Sequence, residues 1–424
     1  MERFALSRMK EWKENENRKP LIIRGARQVG KTWIMKTFGQ QYFEKTAYVN
    51  FDNNARMKQV FEGDLDIERL VLSISAETGV SIEAENTLII FDEVQEVPKA
   101  LTSLKYFYEN APQYAIVAAG SLLGVALHQG TSFPVGKVDF LDLYPLNFRE
   151  FLCAMGEKQF VSMLDSCDTQ MVTVFKTKYI ERLREYYFVG GMPEVVKDFS
   201  EKKDYNRVRA IQKNLINYYQ QDFSKHAEIK LVPRLNLVWN SIPMQLAKEN
   251  KKYIYGQVRE GSRAKDFELA IQWLLDCGLI HKVQRIQKPD LPLKAYIDFD
   301  AFKLFLVDIG LLIAMTDLDA KVIIEGNKIF TEFKGALTEQ YILQQLISDV
   351  GVIPYYYSTQ NSKGEIDFLV QGKTSVIPIE VKAEENLKAK SLKAFCEKYQ
   401  PSYAVRTSMS DYREQDWMTN IPLY

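Results

Sequence analysis

Short apolar runs alternate with helical spacing over the first third of the chain. Pro20-Leu21-Ile22-Ile23 reads as a strand, and Thr32 to Gln41 as the helix that follows it. Ala47-Tyr48-Val49-Asn50-Phe51, Thr87-Leu88-Ile89-Ile90-Phe91 and Tyr114 to Ala119 are three more strands. Helical material through Ser75 and a helix from Ala100 to Glu109 separate them. Buried strands spaced by helices predict a parallel sheet covered on both faces. From Arg149 to about Lys230 the pattern turns helical and rich in Tyr and Phe. Val232 to Arg285 predicts a compact helical unit that ends in alternation, with a helix from Ala264 to Leu275 and Gly278 at its C-cap. Glu332 to Val350 predicts another helix. Two strands follow, Glu365 to Val370 and Val376 to Lys382, joined at Gln371-Gly372-Lys373.

A chain of 424 residues points to two to four domains. Apolar residues at 46% and charged residues at 26% exclude a disordered tail or a collagen-like chain. Lys plus Arg equals Asp plus Glu at 55 each, so any nucleic-acid surface has to be local. The four cysteines, Cys153, Cys167, Cys277 and Cys396, form no C-x-x-C pair, and the three histidines form no H-E-x-x-H. That argues against zinc and suits a reducing compartment. The charged, amphipathic start has no signal-peptide core, and the charge-free stretch from Ala111 to Gly136 is broken by Pro, Gly and Gln. These features predict a cytoplasmic protein with no membrane partner.

Gly25-Ala26-Arg27-Gln28-Val29-Gly30-Lys31-Thr32 matches G-x-x-x-x-G-K-[ST] in full. Its glycines permit a turn whose backbone N–H groups face phosphate oxygens, and the helix behind it adds a partial positive charge. Lys31 is placed to reach the β and γ phosphates of ATP, and the Thr32 hydroxyl to ligate Mg2+. Asp92 and Glu93 close the apolar run from Thr87. Asp92 is assigned to the metal and Glu93 to polarising the attacking water. Ser121 follows the next strand and reads equally as a polar group beside the γ-phosphate or as a helix N-cap.

These residues, together with Ala118-Ala119-Gly120-Ser121-Leu122-Leu123, Leu143 to Phe151 and Tyr187 to Val195, resemble a known family. It comprises the bacterial and archaeal AAA-type P-loop ATPases (AAA_14) that carry the C-terminal domain DUF4143. The resemblance spans essentially the whole chain. It implies an additional-strand, catalytic-glutamate ATPase core, a helical lid, Ser121 as a sensor and Pro193 as an apolar contact near adenine. It also implies an ATP-dependent ring or partial ring. Many members have Gly-Arg where this chain has Gly136-Lys137, which leaves Arg149 as the remaining arginine-finger candidate.

The helix from Ala264, with Phe267, Ala270, Ile271, Leu274 and Leu275 at helical spacing, resembles part of a winged helix-turn-helix. Lys248, Lys251, Lys252, Arg259, Arg263 and Lys265 around it read either as a DNA-phosphate patch or as a solvated basic face. Further on, Asp367, Glu380 and Lys382, with Glu339 on the preceding helix, resemble the PD-(D/E)xK nuclease pattern. In that reading Glu339, Asp367 and Glu380 hold Mg2+ or Mn2+, and Lys382 acts on the water or the phosphate. Glu365 is a candidate third ligand from the hairpin. A surface hairpin with ordinary charge pairing, or a nuclease fold kept only for binding, fits the same residues.

The predicted fold is therefore a multidomain α/β protein. Residues 1–150 form the P-loop ATPase core, 151–230 the helical lid, 231–300 the winged-helix-like unit and 301–424 the α/β nuclease-like domain. The expected function is ATP hydrolysis coupled to DNA processing. The alternative is a nucleotide-dependent regulatory switch whose C-terminal domain only binds a partner.

Overall fold

The computed structural model describes residues 2–120, 133–248, 251–325, 331–359, 364–385 and 389–424. The chain divides into two compact units. The first comprises Glu2–Tyr144 with Asp276–Gly278, and the second Pro145–Leu275 with Leu279–Tyr424.

The first unit holds five parallel strands. They are β1 (Leu21–Arg24), β2 (Lys45–Asn50), β3 (Thr87–Asp92), β4 (Ala115–Ala119) and β5 (Asp139–Asp142), in the order β2-β3-β4-β1-β5. Every residue of β3 and β4 is buried, which accounts for their unbroken apolar runs. Helices Ala55–Glu62, Ile67–Thr78 and Pro98–Asn110 pack onto the sheet around Phe51, Phe61, Phe91 and Phe107. These four rings meet edge to face, with centroids 5.4–6.5 Å apart. β4 lies between β1 and β3, so the strand feeding the glycine loop and the strand ending in acids are one strand apart. This is the additional-strand order that the resemblance implies.

In the second unit, helices from Phe148 onward, among them Lys176–Val189, Tyr205–His226 and Val232–Leu246, accompany a mixed sheet. Its strands are β6 (Ile280–Ile286), β7 (Ile297–Leu306), β8 (Tyr355–Ser358), β9 (Glu365–Gln371), β10 (Val376–Val381), β11 (Val405–Ser408), β12 (Arg413–Gln415) and β13 (Met418–Pro422). They run in the order β12-β13-β11-β10-β9-β8-β6-β7. Two features differ from expectation. The alternation after Gly278, expected to end the winged-helix-like unit, is an interior strand of the larger sheet, because β6 pairs antiparallel with β7 and parallel with β8. The boundary placed between residues 300 and 301 falls inside β7. The helix expected over 332–350 is α-helical over Thr331–Gln345 and continues as a π-helical turn through Val350. Among the described residues no helix is long and apolar enough to cross a membrane.

Candidate nucleotide site

The glycine loop leaves β1 and enters a helix over Lys31–Tyr42, with Gly30 as a left-handed N-cap. No side chain caps this helix, which suits an end built to receive an anion. Gly25 is required by proximity: a Cβ there would lie 2.1 Å from the Leu143 carbonyl oxygen. Arg3 supports the loop from outside. Its guanidinium donates to the Val29 carbonyl at 3.0 Å and to the Tyr144 carbonyl at 2.6 Å.

Lys31 is 7% exposed and donates to the carbonyls of Gly25 and Ala26, both at 2.8 Å. Burial brings its ammonium pKa down to about 8, against the opposing pull of Glu93 and Asp92. The Thr32 hydroxyl donates to Asp92 Oδ2 at 2.7 Å. A hydroxyl and a buried carboxylate in contact are hard oxygen donors, a set that fits Mg2+. The other Asp92 oxygen accepts from the Glu93 amide at 3.1 Å. Glu93 sits in the left-handed region at φ +52°, and Gln95 Nε2 donates to its carboxylate at 2.7 Å. The turn after β3 thus aims the two acids differently, with Asp92 held in the buried network and Glu93 half-buried beside it.

Sequence reasoning missed Tyr48, on edge strand β2. Its hydroxyl donates to Asp92 Oδ2 at 2.9 Å, and Lys36 Nζ lies 3.8 Å from its ring centroid. Burial and the Asp92 charge raise the Tyr48 pKa, so it serves as a donor. The one available signal was its alternation with Ala47 and Val49, which says only that it faces away from them. Ser121, the candidate sensor, lies outside the described residues.

Pro193, expected near adenine, belongs to the second unit and opens the helix Pro193–Lys202. Around it, the two family segments meet each other. Leu146 N donates to the Gly191 carbonyl at 2.7 Å, and a Cβ on Gly191 would lie 2.1 Å from the Leu146 carbonyl oxygen. The Gly191 amide donates to buried Asp308 at 2.6 Å, and Gln344 reaches both Asp308 and the Tyr186 hydroxyl. These segments are packing elements of the second unit, and Asp308 is their hub. Arg149 is engaged by Asp165 and, at 3.2 Å, by Asp349, while Lys137 pairs with Glu109 at 3.0 Å.

Of the acids of the nuclease-like pattern, Glu380 stands apart from the others. Tyr355 faces Leu369 while Tyr357 faces Ile366, so two residues of β9, Asp367 and Phe368, oppose one of β8, Tyr356. This bulge turns Asp367 away from Leu369, toward Glu339 on the helix Thr331–Gln345. β10 keeps its register, with Pro378 opposite Leu369 and Val376 opposite Gln371. Glu380 therefore shares the face of Val376, which packs with Leu369, Leu392 and Phe395. There it pairs with Lys382 at 2.7 Å and lies in the fields of Arg406 and Cys396. The bulge thus puts Asp367 and Glu380 on opposite faces of the sheet. Asp367 and Glu339 do meet, with Glu365 nearby, but around Lys251 and Lys303. Burial and the Glu339 charge push the Asp367 carboxyl above the usual carboxylate range. Among the described residues no three His, Cys, Asp or Glu side chains are grouped to hold a metal.

Comparisons with known proteins match three stretches of the chain. Residues 17–152 match the AAA domain family, and residues 334–424 match a domain of unknown function, DUF4143. Residues 180–322 match a second domain of unknown function, DUF8612, which crosses the limits expected at 230 and 300. Comparison with curated proteins finds no match. Among solved structures, a Walker-type ATPase of Pyrococcus abyssi is 15% identical with a TM-score of 0.46, covering 74% of this chain and 95% of its own. The Orc1 protein of Aeropyrum pernix, solved with DNA, is 13% identical at 0.27, covering 74% and 91%. The Holliday junction branch migration motor RuvB of Thermotoga maritima is 11% identical at 0.28, covering 65% and 87%.

Proposed function

Because the chain belongs to the AAA-type P-loop ATPases that carry DUF4143, we propose that it hydrolyses ATP to switch its DUF4143-bearing unit between partner-binding states. The observation that carries this reading is the 2.7 Å bond between Thr32 and Asp92 beside buried Lys31. ATP with Mg2+ supplies the phosphoryl group and the metal. The loop amides of residues 25–32 cradle the phosphates, Lys31 compensates the β/γ charge, and Thr32 and Asp92 hold the ion. Glu93 accepts a proton from the attacking water and orients it in line with the γ-phosphate.

A switch is favoured over DNA cleavage because the carboxylates of the nuclease-like pattern lie on two faces of the sheet. DNA remains a partner class to be tested, since Arg259, Arg263 and Lys265 are exposed, although Lys251 is taken up by Glu339. The experiment measures ATP turnover by wild type and Glu93→Gln, alone and with single- and double-stranded DNA. Sedimentation with a slowly hydrolysed analogue runs in parallel. Glu93→Gln is expected to bind ATP and to lose about 100-fold or more in turnover. Wild-type turnover by that variant refutes the assignment. Nucleotide-dependent assembly indifferent to DNA supports the switch, and DNA-stimulated turnover supports nucleic-acid processing instead.

A further inference from the structure

The buried charge cluster of the second unit is independent of the ATP reading and disagrees with the divalent-metal site that the nuclease-like pattern implies. Lys303, on β7, is fully buried. Its ammonium bonds Glu365 and lies 3.5 Å from Glu339 and 4.8 Å from the Tyr356 ring centroid. Lys251 bonds the other oxygen of Glu339, which is itself 4% exposed. Asp367 Oδ2 accepts the Val381 amide at 2.7 Å. Both Glu339 oxygens, one of Glu365 and one of Asp367 are thus already engaged by two ammonium groups and a backbone N–H.

We propose that Lys303, assisted by Lys251, is the resident cation of this site, standing between Glu339, Glu365 and Asp367 where a nuclease would carry its metal. Three physical features support the assignment. Removing a lysine from water into a packed interior is costly unless carboxylates surround it, and here they do. A divalent ion at the same place would face two like charges. The hairpin carboxylate that would complete a metal pincer, Glu380, is on the far face of the sheet. The ammoniums also join segments distant in sequence, namely the stretch at Lys251, strand β7, the helix Thr331–Gln345 and the start of β9. The cluster is therefore a metal-independent fastener that makes the middle stretch and the DUF4143 stretch one body.

The test counts Mn2+ bound by the full chain without nucleotide, using the paramagnetic resonance signal of free Mn2+. An Asp92→Asn background removes the P-loop carboxylate from the count. With Lys303 intact, no uptake dependent on Glu339 is expected. Lys303→Met, which keeps the aliphatic stem, is expected to take up about one Mn2+ per chain and to lose it again with Glu339→Gln. Mn2+ uptake by the Lys303-intact chain that Glu339→Gln abolishes overturns the proposal, as does a folded Lys303→Met chain that takes up none. If Lys303→Met is too unstable to count, its thermal midpoint decides. Adding Glu339→Gln and Glu365→Gln should recover the midpoint, because it removes the uncompensated charges, and additive losses would overturn the proposal.

Discussion

Replacing Lys31 by Met keeps a stem of similar bulk and removes the ammonium that faces the nucleotide phosphates. A unit charge pair about 4 Å apart, at an effective dielectric near 20, is worth about 4 kcal/mol. That corresponds to a loss of roughly a thousandfold in ATP affinity. The structure adds a pH signature. Burial lowers the free-state pKa of Lys31 to about 8, and a bound polyanion raises it again. Affinity is then full below pH 8 and falls as pH rises through it, because binding must first recharge the amine. At pH 9 only about a tenth of the free protein carries the ammonium, against about half at pH 8, so wild-type affinity should drop about fivefold between pH 8 and 9 and about tenfold between pH 7 and 9. The terminal phosphate is already dianionic over that interval and contributes little to the slope. Fluorescent ATP titrations with Mg2+ at pH 7, 8 and 9 measure both effects. Lys31→Met should bind weakly with no slope of its own. Affinity within about threefold of wild type, or equal slopes in both proteins, would refute the reasoning.

Tyr48→Phe removes one of two hydroxyl donors on Asp92 Oδ2. The loss of about 1 kcal/mol of carboxylate positioning should raise the Mg2+ needed for half-maximal turnover several-fold. Metal-free nucleotide affinity should stay constant, and an unchanged Mg2+ dependence would remove Tyr48 from the site. Asp308 has its carboxyl pushed up to about 6 by burial, above the unfolded value near 3.9. Its protonated form therefore contributes stability below about pH 4 that is lost as pH rises through 6, up to about 3 kcal/mol. Denaturant midpoints of wild type and Asp308→Asn between pH 4 and 7 test this, and parallel curves would count against it.

Periodicity and one contiguous motif were enough to reveal the first unit. Each strand there is a short apolar run, and the phosphate-binding residues are neighbours in sequence, so local chemistry decides where the loop turns. Asp92 and Glu93 were legible for the same reason, as they end a run of six buried residues. Tyr48 was not, because its partner lies across a parallel pairing that leaves no mark in either segment. The same limit applies to Asp308, Gln340 and Gln344, buried polar residues whose value depends on backbone groups brought from over 30 residues away. In the C-terminal hairpin, the nuclease-like pattern sets Asp367 beside Glu380, which requires both on one face. A single extra residue in β9 reverses that relation, since a strand repeats every two residues and a bulge shifts it by one. Only the tertiary fold puts Lys251 and Lys303 among the carboxylates, and with them the difference between a metal site and a closed ion-pair network.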